Sequence, residues 1–167
     1  MAADVIVKRS GKVAFYGIPA EGGTVTYHRM RGFTELSTSK NPKEYNRQYV
    51  DEDTERTDVV GYAPSVSYAF DEFKGNEIHG DIIDITNNEK IGADAVRSII
   101  VVDFSSGSAT EGYSAIKRDY SVIPDSEGDS TDAYTYSGTF KANGDKVAGT
   151  CTVGADDMTA EFTESAK

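Results

Sequence analysis

Alternating apolar and polar residues run through most of this chain and predict strands rather than helices. Val66, Tyr68 and Phe70 alternate with small residues, and the interval 98–104 is nearly all apolar, as in a strand buried on both faces. The same patterns predict strands at 25–33, 113–123, 134–140, 146–153 and 160–162, with Pro124 ending the second of these. Asn143 and Gly144 both tolerate positive φ, so they predict a hairpin turn.

One helix is predicted among the strands. Asn76 is a suitable N-cap, and Ile78, Ile82 and Ile85 recur three or four positions apart, which predicts a helix over residues 77–89. Six or seven strands with one flanking helix indicate a mainly β (α+β) fold, a β-sandwich or barrel-like domain. The length of 167 residues fits a single domain over 1–167, with an N-terminal arm at 1–10.

The segment 34–60 has a different character from the rest of the chain. It carries charges of both signs and few apolar residues, which favours a long loop. Loops of this length are uncommon in compact domains and are usually functional or disordered. Tyr45, Tyr49 and Val50 nevertheless have the character of buried residues, so we expect another copy of the chain to cover them. We expect the segment to be mobile in the free subunit and to become ordered on assembly.

The charge of the chain excludes some partners. The formal net charge is −11, which argues against binding nucleic acid through its phosphates. The balance is uneven, since residues 1–33 hold five bases and two acids whereas residues 111–167 hold eleven acids and five bases. No stretch approaches the roughly 18 apolar residues of a membrane helix, and no signal peptide is recognisable, so synthesis in the cytoplasm is expected.

The usual catalytic signatures do not occur in this sequence, and no cofactor site is predicted. His28 and His79 have no metal-ligand partner at a helical or hairpin spacing; His28 is expected on a strand surface and His79 in the first turn of the helix. Cys151 is the single cysteine and lies in an alternating pattern, which is typical of a buried, unreactive thiol. The chain is therefore not expected to be an enzyme.

An acidic cluster lies in a Gly/Ser-rich turn and comprises Asp125, Glu127, Asp129 and Asp132. Alternating carboxylates are able to bind calcium, but the EF-hand pattern fails because Ser130 and Tyr136 replace the required Gly and Glu. A solvated acidic loop is the main interpretation and a cation site the alternative. The ten tyrosines have no basic groove around them in the sequence, so they favour core and interface positions over base stacking.

Several stretches resemble the major tail proteins, or tail tube proteins, of long-tailed non-contractile bacteriophages and prophages of Gram-positive bacteria. These stretches are 33–45, 47–52, 54–59 and 95–104, and the resemblance extends over roughly residues 5–163. It implies a tail-tube fold whose members assemble as hexameric rings. Rings stack into the tail tube of the virion, which conducts DNA during ejection through a lumen that is usually acidic.

The resemblance also implies partners and an assembly loop. The partners are other copies of the chain, a tape-measure protein, and tail terminator and tip proteins, whereas DNA passes without specific binding and no membrane is involved. Contacts between rings are expected from the loop at 34–60, chiefly from Lys40, Lys43, Tyr45, Arg47, Tyr49, Val50, Asp51, Glu52, Glu55 and Arg56. The sets Ser65/Ser67/Ala69 and Thr135/Ser137/Thr139 should face away from the core, and one of them should line the lumen.

Three alternatives stay open at this point. The first is an inner-tube subunit of a contractile injection machine, such as a contractile-tailed phage, a bacteriocin or a secretion system, which shares the fold and differs in having a sheath. The second is a monomeric binding or adhesion module, which would not polymerise at high concentration. The third is an enzyme, which lacks any recognisable combination of acid, base and nucleophile.

Overall fold

The computed structural model describes residues 3–166, so residues 1 and 2 of the predicted N-terminal arm and residue 167 of the predicted domain lie outside the described residues. One α-helix, α1, spans Glu77–Asn87, and short 3-10 turns lie at Arg9–Gly11 and Gly92–Ala95. The strands are β1 Lys12–Pro19, β2 Val25–Arg29, β3 Phe33–Ser39, β4 Pro42–Arg47, β5 Arg56–Tyr62, β6 Ser65–Asp71, β7 Val96–Ser108, β8 Gly112–Glu127, β9 Thr135–Ala142, β10 Val147–Val153 and β11 Thr159–Glu164.

Six antiparallel strands close into a barrel in the order β1, β7, β8, β10, β11 and β2. Closure depends on β8, which pairs with three strands. Its residues 112–121 pair with β7 along one edge. Along the other edge, residues 113–117 pair with β10 and residues 120–127 pair with β9. Alternate side chains point inward and form a compact apolar interior that includes Phe15, Ile100, Val102 and Cys151. The predicted mainly β, barrel-like fold is confirmed.

The second half of β8 continues the sheet outward through β9, β6 and β3. This extension and the outer surface of the barrel enclose a second core, which is covered by α1. Aromatic rings fill it, with Tyr68 stacked on Phe140 at a centroid distance of 4.5 Å and Phe70 beside Tyr136 at 5.4 Å. The helix contributes Ile78, Ile82 and Ile85 to this core, and the partly buried Ile83 packs against it.

Strands β1 and β7 separate the two cores and supply side chains to both. On β1, Phe15 points into the barrel and Tyr16 towards the helix. On β7, Ile100 points into the barrel and Ile99 towards the helix. The expectation that residues 99–102 are buried on both faces holds for three of them. Val101 is 44% exposed, because the helix does not extend over this part of the outer barrel surface.

The helix begins where the sequence predicts and ends two residues earlier. Asn76 Oδ1 accepts hydrogen bonds from the backbone N–H groups of Ile78 (3.1 Å) and His79 (3.3 Å), which caps the first turn. The helix stops at Asn87, and Glu89 adopts a left-handed conformation with φ of 46°. Because that conformation cannot continue a helix, the predicted boundary at residue 89 is too long.

A buried ionic group attaches the helix to the sheet. Asp81 on α1 accepts two hydrogen bonds from the guanidinium group of Arg97, at 2.8 and 3.1 Å, and a third from Tyr16 Oη at 2.6 Å. Arg97 also donates to the carbonyl oxygens of Asp94 and Val96. Each of these charges therefore has several partners in a nearly water-free position.

Strand boundaries differ from the sequence predictions in three places. The strand predicted at 25–33 is two strands, since the chain turns through Gly32, which has a φ of 76°. Pro124 does not end β8, because it lies beside a bulge in the pairing with β9, where its missing N–H is tolerated. Strand β1 was not predicted from the alternation of residues.

The interval 34–60, predicted as a long loop, consists largely of strands. Residues Phe33–Ser39 form β3, which pairs with β6, and β4 and β5 form a separate two-stranded hairpin. Within the described part of the predicted N-terminal arm, residues 3–8 have no regular structure, and Val5 and Ile6 are largely exposed.

Candidate assembly surfaces

The hairpin of β4 and β5 extends from the domain and contains nearly all of the predicted assembly residues. Lys43, Tyr45 and Arg47 lie on β4 and Arg56 on β5, whereas Lys40 precedes β4. The turn between the strands holds the other five predicted residues, which are Tyr49, Val50, Asp51, Glu52 and Glu55. The structure thus brings these residues together on one projecting element.

One face of the hairpin is a ladder of arginine and tyrosine side chains. The Arg47 guanidinium carbon lies 5.4 Å from the ring centroid of Tyr45 and 5.6 Å from that of Tyr49, and Arg47 Nε donates to Tyr49 Oη at 2.9 Å. Arg47 also pairs with Asp58 at 2.5 Å, and Arg56 binds both carboxylate oxygens of Glu52. These contacts hold the side chains in place without burying them.

The hairpin carries exposed apolar surface that the domain does not cover. Tyr45 and Tyr49 are 55% and 46% exposed and Val50 is fully exposed, and Val59, Val60 and Tyr62 are also exposed along β5. Surfaces of this kind commonly mark protein–protein contacts. Arg47 and Arg56 form ion pairs within the hairpin, with Asp58 and Glu52.

The two small-residue sets predicted to face away from the core lie side by side on one surface. The strand register places Ser67 opposite Thr139 and Ala69 opposite Ser137, while the intervening Tyr68 points into the helix-side core. The prediction that both sets face away from the core is therefore confirmed. The charged residues that share this face by register are Glu35, Asp71 and Lys141.

Strand β3 is an open edge of the nine-stranded sheet. It pairs with β6 on one side, and in the part of the chain that the structure describes no strand pairs with its other side. An unpaired edge offers backbone N–H and C=O groups to a neighbouring strand. This edge is not visible in the sequence, because Phe33 and Leu36 lie three positions apart on either side of a bulge and so do not alternate with polar residues.

The residues considered for chemistry are not arranged as a reactive site. His79 is buried, its ring stacks on Phe70 at 4.1 Å, and its Nδ1 accepts a hydrogen bond from the backbone N–H of Phe73 at 3.3 Å. Burial lowers the pKa of His79 below its ordinary value. His28 lies on β2 and is half-buried. Cys151 is enclosed in the barrel, where burial raises its pKa to about 11.

The acidic cluster lies at the end of β8 and in the turn that follows it. Asp125, Glu127, Asp129 and Asp132 are all exposed. The Asp129 carboxylate accepts a hydrogen bond from Ser126 Oγ at 2.8 Å, and that of Glu127 accepts one from Tyr134 Oη at 3.2 Å. Among residues 3–166, no group of three or more His, Cys, Asp or Glu side chains is placed to hold a metal ion. No helix within that range is long and apolar enough to span a membrane.

Comparison with known proteins reveals similarity in fold. No protein-family model matches the sequence, and no curated protein matches it. The anti-feeding prophage cap, a tube terminating cap, aligns with a TM-score of 0.50 and 11% identity over 90% of this chain and 95% of that chain. A chain of the six-fold symmetrised anti-feeding prophage baseplate aligns with a TM-score of 0.50 and 8% identity over 89% and 97%. At these identities the likeness shows a shared fold.

Proposed function

We propose that this chain is a structural subunit that assembles into six-membered rings, which stack into the tube of a bacteriophage or prophage tail. The observation that carries the proposal is the fold likeness to two components of the anti-feeding prophage, which extends over almost the whole of each chain. In this role the protein is part of the virion, has no catalytic activity, and forms the conduit for DNA ejection.

The open edge of β3 supports ring formation. Its unpaired backbone groups suit pairing with a strand of a neighbouring copy, and a contact between unlike surfaces that closes by rotation produces a ring. The small-residue face of β6 and β9 would then form part of the inner wall. A chain with a net charge of −11 repels phosphate, so DNA would slide through without adhering.

The hairpin supports stacking of the rings. Its exposed Tyr45, Tyr49 and Val50 suit burial against the next ring, and its turn carries charged groups beside them. A two-stranded hairpin without further strands is marginally stable, so we expect its amide protons to exchange readily in the free subunit and to be protected in the tube. Tape-measure, terminator and tip proteins would complete the tail.

The test is negative-stain electron microscopy of the concentrated protein, which should show tubes with six-fold end views. In a hairpin variant, residues 43–61 are replaced by Asn-Gly, since Pro42 and Tyr62 are already opposite each other and β3 is left intact. This variant should keep the thermal stability of the domain and form no long tubes. Wild-type protein that stays monomeric at millimolar concentration would overturn the proposed function.

A second candidate is a component of the tube's end. It is favoured because one of the two similar structures is a tube terminating cap and the other is a baseplate. A cap would form single rings that do not extend, so the same micrographs separate the two functions. An inner tube of a contractile injection machine would differ by binding a sheath, and co-expression with a sheath protein from the same gene cluster distinguishes it.

A further inference from the structure

A basic groove lies on this otherwise acidic subunit. It has a volume of about 490 Å³ and opens between the start of β1, the end of β2 and the middle of β3. Three cations line it, and its floor is apolar: the cations are Arg9, Lys12 and Arg29, and the floor is formed by Ala14, Met30 and Leu36. The groove is thus locally positive, although the chain as a whole has a net charge of −11.

The groove is held in shape by one of its own cations. The Arg9 guanidinium donates to the carbonyl oxygens of Lys12 (2.7 Å) and Leu36 (3.3 Å), so it bridges β1 and β3. None of the three cations forms an ion pair with a carboxylate within residues 3–166. The nearby acid is Asp103, opposite Lys12 in register, and its carboxylate accepts hydrogen bonds from the N–H and hydroxyl of Ser105.

The acidic cluster described above has complementary properties. Its four carboxylates are exposed, and none forms a salt bridge in the described part of the chain. Tyr134, at the end of the same connection, is 51% exposed and offers an aromatic ring beside the charges. An acidic loop with an adjoining aromatic residue fits a groove with cations above an apolar floor.

The loop of a subunit cannot reach the groove of that subunit. Lys12 is opposite Asp103 on β7, and Asp103 is opposite Ser114 at the start of β8. Glu127 lies at the far end of β8, a contour of about 40 Å away at about 3.3 Å per residue. The groove and the loop therefore lie at opposite ends of the strands, and a contact between them requires two copies.

We propose that the basic groove receives the acidic loop of a second copy, and that this contact determines the head-to-tail polarity of assembly. The inference rests on the proposed self-assembly and assigns one pair of surfaces to it. Because groove and loop differ, a stack has free grooves at one end and free loops at the other, so the contact repeats without closing on itself. Opposite charges also select against head-to-head pairing, which would bring like charges together.

A charge exchange between the two surfaces tests this contact. The groove variant is Lys12→Glu with Arg29→Glu, the loop variant is Asp129→Lys with Asp132→Lys, and a third chain combines all four substitutions. Each single-surface variant should raise the protein concentration needed for assembly by about tenfold or more, and the combined chain should recover most of the loss. Lys74→Glu with Lys146→Glu changes the net charge equally outside the groove and should assemble like the wild type.

The outcomes separate this contact from the proposed function. Tubes that form equally well from both single-surface variants would overturn the contact and leave the function standing. Loss of assembly in the groove variant without recovery in the combined chain would indicate a different acidic partner, and would also overturn it. Lys12→Glu places a second carboxylate opposite Asp103, and circular dichroism shows whether that variant folds. If it does not fold, the same comparison is made with Arg29→Glu alone, Asp129→Lys alone and the two substitutions combined.

Discussion

Removal of the Asp81 carboxylate should destabilise the subunit more than any change on the exposed face of the helix. Asp81 is the common acceptor for two guanidinium N–H groups of Arg97 and for the Tyr16 hydroxyl. Arg97 is 7% exposed, so Asp81→Leu would leave an unpaired charge with little access to water. Breaking one partner of a buried ion pair costs about 3–5 kcal/mol. The orphaned Tyr16 hydroxyl adds about 1 kcal/mol.

Replacing the whole group should restore much of the lost stability. In the triple variant Asp81→Leu, Arg97→Met, Tyr16→Phe, neither a buried charge nor an unpaired hydroxyl is left. Substituting buried ion pairs by apolar residues of similar volume is often neutral or stabilising. The free energy of unfolding of the triple variant should therefore lie within about 2 kcal/mol of the wild type.

Urea denaturation of the monomer, followed by circular dichroism, measures these differences. With a urea dependence of about 2 kcal/mol per molar, the combined loss of about 4–6 kcal/mol for Asp81→Leu should lower the midpoint by about 2–3 M. Asp84→Asn is the matched control, because Asp84 pairs with Lys90 on the solvent side of the same helix, and it should leave the midpoint nearly unchanged. A loss below about 1 kcal/mol for Asp81→Leu would show that Arg97 finds water or another acceptor, and would refute the reasoning.

Three further predictions follow from buried side chains. Burial lowers the native pKa of His79 and outweighs the hydrogen bond with the Arg31 backbone, which favours protonation; the charge of Arg31 opposes protonation and that of Asp71 favours it. The unfolded state therefore binds the proton first. Stability should fall as the pH drops below about 6.5 and level off below the native pKa, and His79→Gln should remove this part of the pH dependence in urea midpoints. Ile100→Asp should cost several kcal/mol (~4) through a charge inside the barrel, and unchanged thermal stability would contradict the assigned core. Cys151 should resist maleimide at pH 8 until urea unfolds the protein, whereas rapid native labelling would show an open barrel.

The elements that the sequence predicted well are those whose signals are local. The helix has an N-cap at Asn76 and an apolar stripe of three isoleucines, and both act within a few residues. Strand β6 alternates strictly because one face packs against aromatic rings and the other lies at the surface. In both elements the burial pattern repeats with the period of the backbone, so the pattern is visible in the sequence.

Both faces of β1 are buried, as in β7, but Gly11, Gly17 and Pro19 surround its apolar run and weaken the strand signal. Phe15 enters the barrel and Tyr16 the helix-side core, so the sequence from Val13 to Tyr16 is apolar without alternation. Gly17 is nevertheless required at its place, since a Cβ there would lie 2.7 Å from Val25 Cγ1. Closure of the barrel was also beyond local patterns, because β8 changes its partner from β10 to β9 along its length.

The hairpin was read as a loop for the opposite reason, since neither of its faces is buried within the subunit. Apolar and polar residues alternate when one face of a strand is buried and the other is exposed. A strand with two exposed faces therefore shows no such alternation. Arg47 nevertheless shapes the hairpin through Tyr45, Tyr49 and Asp58, all of which remain accessible at its surface. Under the proposed function, these same side chains would contact a neighbouring ring. Their contacts within the hairpin favour the conformation that stacking would stabilise, which lowers the entropy lost on assembly even where the backbone of the free hairpin opens readily.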